Sequence, residues 1–577
     1  MKKLYTLIFA VLFLFSAMCL FAAKEKEVPK VNVTMPFKKG LNLSNWIELY
    51  RNENPNVLSE FFGKQDFEDI KSLGVEIIRL PVHFEEASSG APDYIVEDWI
   101  WEKIDNAVEW CTELEMYMII DFHNDCAGES KTRPDIEKVL LKVWPQIAEH
   151  YKDSGKYVLY EIYNEPHMKS GNLAADVSKW NKIQGTVLKK IREIDKTHTV
   201  IVGAEGWNSV AELLKLPDYK DDNLIYNFHD YEPFLFTTQG AEYDARLLRL
   251  KHIPFPYSKE KMPPLPKNPT KEEIEMYEYY PHASKEETIV KPLDEAVKFA
   301  NKRNVALMCN EWGVRMNYAD KEERINWYRL MTKWMDERNI IRISWDYRES
   351  FGIFNNPSLY PNIARFPEDL NIEILKAMGL NVPQEKTRPH ITWFENARKT
   401  SDYTIYKNGF AKTVYSKSES TLGCRINKKD SADGERYIYI PKANSYGNVW
   451  CLFGEECDFS SLLSSGKALE FEIRSNQKNL NCKVYFQDSE IKDGGKAGLP
   501  WKFSYHINDS IVPPDGEWHK VRIPLSEFTE YGAYSNIEQK WYNPEDLFTW
   551  KRVDSLVFDT LEKGLQNDLS IRNIAIR

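Results

Sequence analysis

Glu165 and Glu311 are the residues of this chain whose type and setting best suit them for chemistry. Glu165 closes the run Tyr157–Glu165, YVLYEIYNE. Its Val158, Leu159, Tyr160, Ile162 and Tyr163 favour a buried strand, and Pro166 cannot donate to a sheet ladder, so pairing is expected to stop there. Glu311 closes a second such run, VALMCNE at 305–311. Polar residues stand at the same point of other apolar runs: Asn42, Arg79, His123, Asn164, Glu205, His229 with Tyr231, and Trp345. Two carboxylates gathered at one mouth suit cleavage of a glycosidic bond, one protonating the leaving oxygen and the other capturing the oxocarbenium-like centre. Glu311 needs positive or hydrogen-bonding neighbours to stay ionised, and Arg79 and Tyr231 have that chemistry; Glu165 needs like-charge proximity and partial desolvation to keep its proton. Glu161 falls on the face of Glu165 by the two-residue period of a strand and reads as a buried salt-bridge partner, and Glu205 as a structural carboxylate.

Such side chains converge only if their runs are parallel strands of one sheet. The expected strands are Gly40–Asn45, Glu76–Val82, Tyr117–His123, Tyr157–Glu165, Thr199–Glu205, Asn223–His229, Val305–Glu311 and Ile340–Trp345. Between them lie amphipathic stretches with apolar residues at three- and four-residue spacing: Glu60–Leu73, Asp98–Leu114, Asp135–Lys152, Ala174–Ile194, Leu293–Lys302 and Lys321–Arg338. This alternation predicts an α/β fold with crossover helices, a (β/α)8 TIM barrel. An open doubly wound sheet is the competing architecture, but no Gly-rich phosphate loop follows the first strand. About 75 residues between His229 and Val305, including IPFPYSKEKMPPLPKNP, read as an irregular insertion at the catalytic rim. Its Tyr257, Tyr277, Tyr279 and Tyr280 are expected either to contact substrate or to pack the loop down.

After Leu380 the texture changes. NVPQEKTRPH reads as a linker, and short alternating runs separated by turn residues such as Pro513-Pro514-Asp515-Gly516 predict an all-β, jelly-roll-like sandwich. The expected division is 1–23, 24–385 and 386–577. Residues 1–23, with Lys2 and Lys3 before an apolar run to Phe21 and Ala22-Ala23 at the end, read as a secretory signal peptide, which places the mature protein outside the cytoplasm, extracellular or periplasmic. Cys111, Cys126, Cys309, Cys424, Cys451, Cys457 and Cys482 then remain; none has zinc-like spacing, no metal or other cofactor is expected, and the last four leave room for one or two disulfides. A formal charge of −11, from 76 basic and 87 acidic residues, argues against a nucleic-acid partner. No obligatory protein partner is indicated. Aromatics at 13% suit a sugar ligand, although large cores use them too.

The motifs GLNLSNW (40–46), IIRLPV (77–82), DFHN (121–124), IYNEPH (162–167), NFHDYEP (227–233), NEWGV (310–314) and SWDYRESFG (344–352) together resemble glycoside hydrolase family 5, the cellulase family of clan A. The resemblance spans about residues 35–375. It implies a retaining hydrolase in which Glu165 is acid/base and Glu311 nucleophile, Arg79 orients Glu311, and His123 and Asn164 hold sugar hydroxyls. By the same resemblance His229 and Tyr231 steady the carboxylate pair, Trp345 underlies the sugar beside the scissile bond, and Asn42 belongs to the substrate-binding set. Asn310 stands where the family commonly has glycine. The C-terminal region resembles carbohydrate-binding jelly rolls, with Trp450, Trp501, Trp541 and Trp550 as candidates for a stacking platform. The expected substrate is a polysaccharide, β-1,4-glucan first, mannan or xyloglucan next. A non-catalytic glycan-binding barrel is the alternative, which the survival of both carboxylates disfavours.

Overall fold

The computed structural model describes residues 28–44, 46–48, 62–85, 87–123, 131–241, 243–355, 366–383, 403–411, 414–422, 424–491, 495–535 and 540–577. The expected signal peptide, Asn45, Cys126 and most of the expected linker lie outside these residues. Eight parallel strands close into a barrel in sequence order: β1 (Lys39–Asn42), β2 (Ile77–Val82), β3 (Tyr117–Phe122), β4 (Val158–Glu161), β5 (Val200–Val202), β6 (Leu224–His229), β7 (Ala306–Glu311) and β8 (Ile341–Ser344), with β8 pairing back to β1. The crossover helices include α1 (Lys64–Ser72), α2 (Asp98–Glu113), α3 (Ile136–Tyr151), α4 (Leu173–Ile194), α5 (Val210–Leu213) and α6 (Phe234–Thr237). After them come α7 (Lys271–Ala283), α8 (Glu286–Arg303), α9 (Lys321–Glu337) and α10 (Ile372–Ala377).

The two-residue period of the strands builds the barrel interior in layers. Ile77, Ile119, Leu159, Ile201, Ile225, Met308 and Ile341 form an apolar plug at the bottom, in one cluster. Two residues further along their strands stand Arg79, Asp121, Glu161, Asn227 and Asn310, all buried and all polar. The outward-facing Leu80, Ile120, Tyr160, Val202, Phe228 and Leu307 pack instead against the helices in a separate cluster.

Three expectations are corrected. Strand β4 ends at Glu161, so Glu165 lies beyond the sheet and the alternation that set both on one face does not reach it. The insertion after β6 is not irregular throughout: Thr270 caps α7 by accepting from Glu273 N–H while the Glu273 carboxylate accepts from Thr270 N–H, and α8 begins at Glu286, before the expected Leu293. Its aromatics mostly hold it together. Tyr280 is buried and donates to the Pro254 carbonyl, Tyr277 donates to Pro263 O at 2.7 Å, and Tyr257 packs on Tyr280, while Tyr279 is exposed. Finally, the room left for disulfides in the sandwich is not used among the described residues: Cys424, Cys451, Cys457 and Cys482 are buried, are not joined in disulfides, and serve as small apolar core residues.

The C-terminal part is a sandwich of two antiparallel sheets. One has the order β10 (Tyr415–Leu422), β13 (Lys442–Cys457), β20 (Val553–Asp559), β15 (Asn481–Asp488), β16 (Lys502–Asn508), β18 (Thr529–Ser535) and β19 (Lys540–Tyr542). The other runs β11 (Arg425–Lys429), β12 (Arg436–Ile440), β21 (Leu569–Ile576), β14 (Ala468–Ser475) and β17 (His519–Pro524), with β9 (Tyr403–Tyr406) also on β21. Alternate residues such as Val449, Cys451, Val484, Phe486, Leu556 and Phe558 point into its core.

Candidate active site

All nine residues expected at the mouth come together there. Glu311, the last residue of β7, takes a hydrogen bond on Oε1 from Arg79 at 2.8 Å and on Oε2 from the Tyr231 hydroxyl at 2.9 Å. Arg79 sits at the centre of the polar layer. Its remaining N–H groups donate to Glu161 (2.7 and 3.0 Å), Asn42 Oδ1 (3.1 Å) and Asn164 Oδ1 (2.8 Å), and Asp121 lies 2.9 Å away. Burial works against its charge, but Asp121, Glu161 and Glu311 outweigh that and hold the guanidinium well above its ordinary value. Asn42 is itself fixed by donating to the carbonyls of Asn310 and Ser344 at 2.9 and 3.1 Å.

Glu165 occupies a different setting. Its backbone is left-handed, φ 44°, unusual for a residue with a side chain, and its side chain is a quarter exposed against 7% for Glu311. The loop that imposes this is held from both sides. Asn164 N–H bonds Phe122 O, Gly206 and Trp207 N–H both donate to Pro166 O, and Met168 N–H donates to Glu205 Oε1 at 2.7 Å. Glu205 thus helps to hold the loop that carries Glu165. Glu165 Oε1 meets His229 Nδ1 at 2.7 Å, and the same nitrogen is 3.5 Å from Glu311 Oε2. Burial lowers the His229 pKa to about 4, so the ring is neutral, and burial with the charge of Glu311 keeps the Tyr231 phenol protonated.

On the other side of the pair, His123 Nδ1 bonds Asp121 Oδ2 at 2.7 Å, Asn164 Nδ2 lies 3.2 Å from His123 Nε2, and Trp345 stacks on the His123 ring at 5.6 Å. Asp121 was missed by sequence reasoning, although it precedes His123 by one two-residue period; burial raises its pKa to about 7, with Arg79 opposing. Asn310 was noted only as a departure from the family, and Asn208 was missed. Asn310 Nδ2 donates to Glu161 at 2.7 Å, and Asn208 lies 3.3 Å from His229 Nε2, from a loop with no strand periodicity to betray it.

Glu165, His229 and Glu311 offer ligand atoms within 4.8 Å of one another, the one grouping with metal-like spacing among the described residues. Its atoms are already engaged: Glu311 is bonded by Arg79 and Tyr231, and His229 Nδ1 by Glu165, so the cation at this site is the guanidinium. The arrangement is two close carboxylates, one clamped by a cation and a phenol, the other nearer solvent and bonded to a neutral imidazole.

In the sandwich, the candidate platform divides. Trp501 is fully buried and Trp550 packs among Phe486, Phe503, Phe528 and Phe548. Trp450 and Trp541 remain on the outer face of the larger sheet, joined by Tyr485 (6.3 Å from Trp450), Tyr531 (5.1 Å from Trp541) and Lys502 between them.

The family models agree with this geometry. Residues 44–350 match the cellulase (glycosyl hydrolase family 5) model, and residues 391–577 match carbohydrate binding domain 30. Endoglucanase C of Acetivibrio thermocellus is 30% identical over 331 residues, 55% of this chain and 94% of that protein. Endoglucanase H of the same organism is 24% identical over 559 residues, 93% of this chain and 53% of that protein. Among solved structures, endoglucanase Cel5A from Thermotoga maritima is similar over 59% of this chain and 96% of its own, with 23% identity and a TM-score of 0.46. With a barrel carrying paired carboxylates and a sandwich carrying aromatic rings, each in the segment its family model covers, this chain belongs to glycosyl hydrolase family 5, a glycoside hydrolase with a C-terminal carbohydrate binding domain 30.

Proposed function

We propose that the protein is a secreted, retaining endo-β-1,4-glucanase that cleaves internal bonds of a plant polysaccharide by double displacement. The observation that carries this reading is the closeness of Glu165 and Glu311, which have carboxylate oxygens within 4.8 Å of each other, in the range of retaining enzymes and too close for the intervening water that inversion needs. In the first step a carboxylate oxygen of Glu311 bonds the anomeric carbon as the glycosidic C–O bond breaks, and Glu165 gives its proton to the departing oxygen. In the second, Glu165 takes a proton from water, the water oxygen bonds the anomeric carbon, and Glu311 leaves as carboxylate. Arg79 and Tyr231, bonded to separate oxygens of Glu311, stabilise the anion at the start and end of the cycle. His123, Asn164 and Trp345 form the wall that meets the sugar. The endo-acting β-glucanase assignment draws on the endoglucanase names of the relatives.

Proton NMR of the first-formed product on a soluble β-glucan tests the mechanism. A β-anomer is expected; an α-anomer refutes double displacement and returns Glu205 to consideration as the base. Reducing-end release from purified β-glucan, glucomannan, xyloglucan and xylan tests the substrate, and the N-terminal residue of the exported protein tests cleavage near Ala23. Trp450 and the exposed Trp541 on the outer face of the larger sheet support a second, separate reading, that the sandwich holds the enzyme on its polymer.

A further inference from the structure

We propose that Asp121 is a positioning residue: through its hydrogen bond to His123 it fixes the imidazole in the Nδ1–H tautomer, so that a sugar hydroxyl arriving at this ring can donate to it but cannot accept from it. The proposal rests on the reading of His123 and Asn164 as part of the wall that meets the sugar. Asp121 is wholly buried in the polar layer, on β3, and His123 follows it by two residues, just past the end of the strand. The backbone of His123 is held by its N–H on Val82 O at 2.8 Å, and Trp345 lies along one face of its ring, 5.6 Å away and 18° from parallel. Arg79 directs its N–H groups at Glu161, Asn42, Glu311 and Asn164 and meets Asp121 as a charge, 2.9 Å away. Among the described residues, the hydrogen bond that the Asp121 carboxyl makes is with His123 Nδ1, at 2.7 Å.

The tautomer follows from partners that have no choice of role. A guanidinium only donates, so the side-chain atom of Asn164 that lies 2.8 Å from Arg79 Nη2 is its oxygen, and the atom that faces His123 is its nitrogen. Asn164 Nδ2–H therefore donates to His123 Nε2 at 3.2 Å, which leaves the ring proton on Nδ1, pointing at Asp121. Both ends of the Asn164 amide have partners in this orientation. The two oxygens of a carboxyl are equivalent, so Asp121 brings no orientation of its own, and a proton bound by it sits on the oxygen that His123 does not use. The other tautomer would set an Nε2–H against the Asn164 N–H and a lone pair against Asp121. Arg79, Asn164, His123 and Asp121 thus close a ring in which each group holds the next, and the imidazole proton is turned down into the barrel, away from the mouth.

Measurements on the full-length protein test this. Ring-15N histidine NMR of the native protein near neutral pH, with His123 assigned through His123→Gln, should show a protonated Nδ1 and a bare Nε2; a protonated Nε2 overturns the proposal. That spectrum needs no variant at Asp121, so the test stands even where Asp121→Ala does not fold. In Asp121→Ala the ring should become a mixture of tautomers, and in Asp121→Asn, which keeps an oxygen for Nδ1–H, it should match the native protein. Turnover of 2,4-dinitrophenyl cellobioside reads the consequence. His123→Ala should lower kcat/KM at least about tenfold; if it does not, the reading of the wall fails and takes the proposal with it. Given that loss, Asp121→Ala should cost about 10- to 100-fold, and Asp121→Asn should recover the activity to within about fivefold of the native value. In a His123→Ala background, Asp121→Ala should cost less than about threefold more, because its effect runs through the imidazole. Losses that multiply mean that Asp121 only supports the fold, and overturn the proposal while the wall reading stands. An Asp121→Asn variant as poor as Asp121→Ala overturns it as well, because charge rather than the bond to His123 would then be what matters.

Discussion

Arg79 carries three carboxylates on one guanidinium, and the site depends on that imbalance. Arg79→Met is expected to leave Asp121, Glu161 and Glu311 without a counter-charge and to cost about 3–5 kcal/mol of stability, read as a fall in the urea midpoint. Arg79→Lys keeps the charge but not the fork that reaches Glu161, Asn42, Asn164 and Glu311 at once; it should stay folded while activity falls by at least about a hundredfold. If Arg79→Lys is as active as the native enzyme, charge alone suffices and the geometric argument is wrong. Glu205 gives a prediction about pH. Burial raises its pKa to about 7, above the ordinary 4.5, so between those values the folded protein holds a proton that the unfolded chain has released. Its contribution is therefore full below about pH 4.5 and is lost as pH rises through 7. Glu205→Gln, which keeps an acceptor for Met168 N–H, should match the native protein at pH 4.5 and exceed it by on the order of 2 kcal/mol at pH 8. A difference independent of pH would show that the carboxyl does not titrate there.

At the scale of elements, the loop after β4 and the segment after β6 are held in contrasting ways. The loop carrying Glu165 is left-handed at both Glu165 and Lys169, φ 44° and 48°, and is tied by main-chain bonds to the loop after β5. The segment after β6 is tied by its own side chains: Arg249 pairs with Glu273 and bonds Lys267 O, and Glu323 of α9 receives Phe255 N–H and Lys261. Tyr280→Ala should therefore lower stability by about 3 kcal/mol through the cavity and the lost bond to Pro254, while leaving the product pattern on long oligosaccharides unchanged. An altered pattern with unchanged Tm would return this tyrosine to the substrate.

For the whole molecule, contacts between the two parts include Leu452 of the sandwich, which packs on the barrel's outer cluster, and ion pairs of Arg436 with Glu102 at 2.6 Å and Arg425 with Glu97 at 3.7 Å, of a kind worth at most about 1 kcal/mol each. We expect a chain ended after Val382 to keep its activity on soluble β-glucan; a folded but inactive product would mean that the sandwich completes the site. Trp541→Ala, in contrast, should leave soluble activity alone and weaken adsorption to insoluble cellulose about tenfold, roughly 1.4 kcal/mol, measured by depletion from solution. The barrel was legible before any coordinates because strand and helix periods are local: Ile77 and Arg79, or Leu159 and Glu161, announce plug and polar layer by spacing alone. The family motifs likewise named nine residues that meet at the mouth, but gave no role to Asp121, Asn310 or Asn208. What needed the tertiary structure was everything set by contact across the chain. The end of β4 at Glu161 depends on how neighbouring strands pair, the fate of Trp501 and Trp541 on which sheet face each occupies, and the use of four sandwich cysteines as core filling on where they lie. Asn208 belongs to the same class: a left-handed loop residue has no periodic signal, and only the closed barrel brings it to the imidazole beside Glu165.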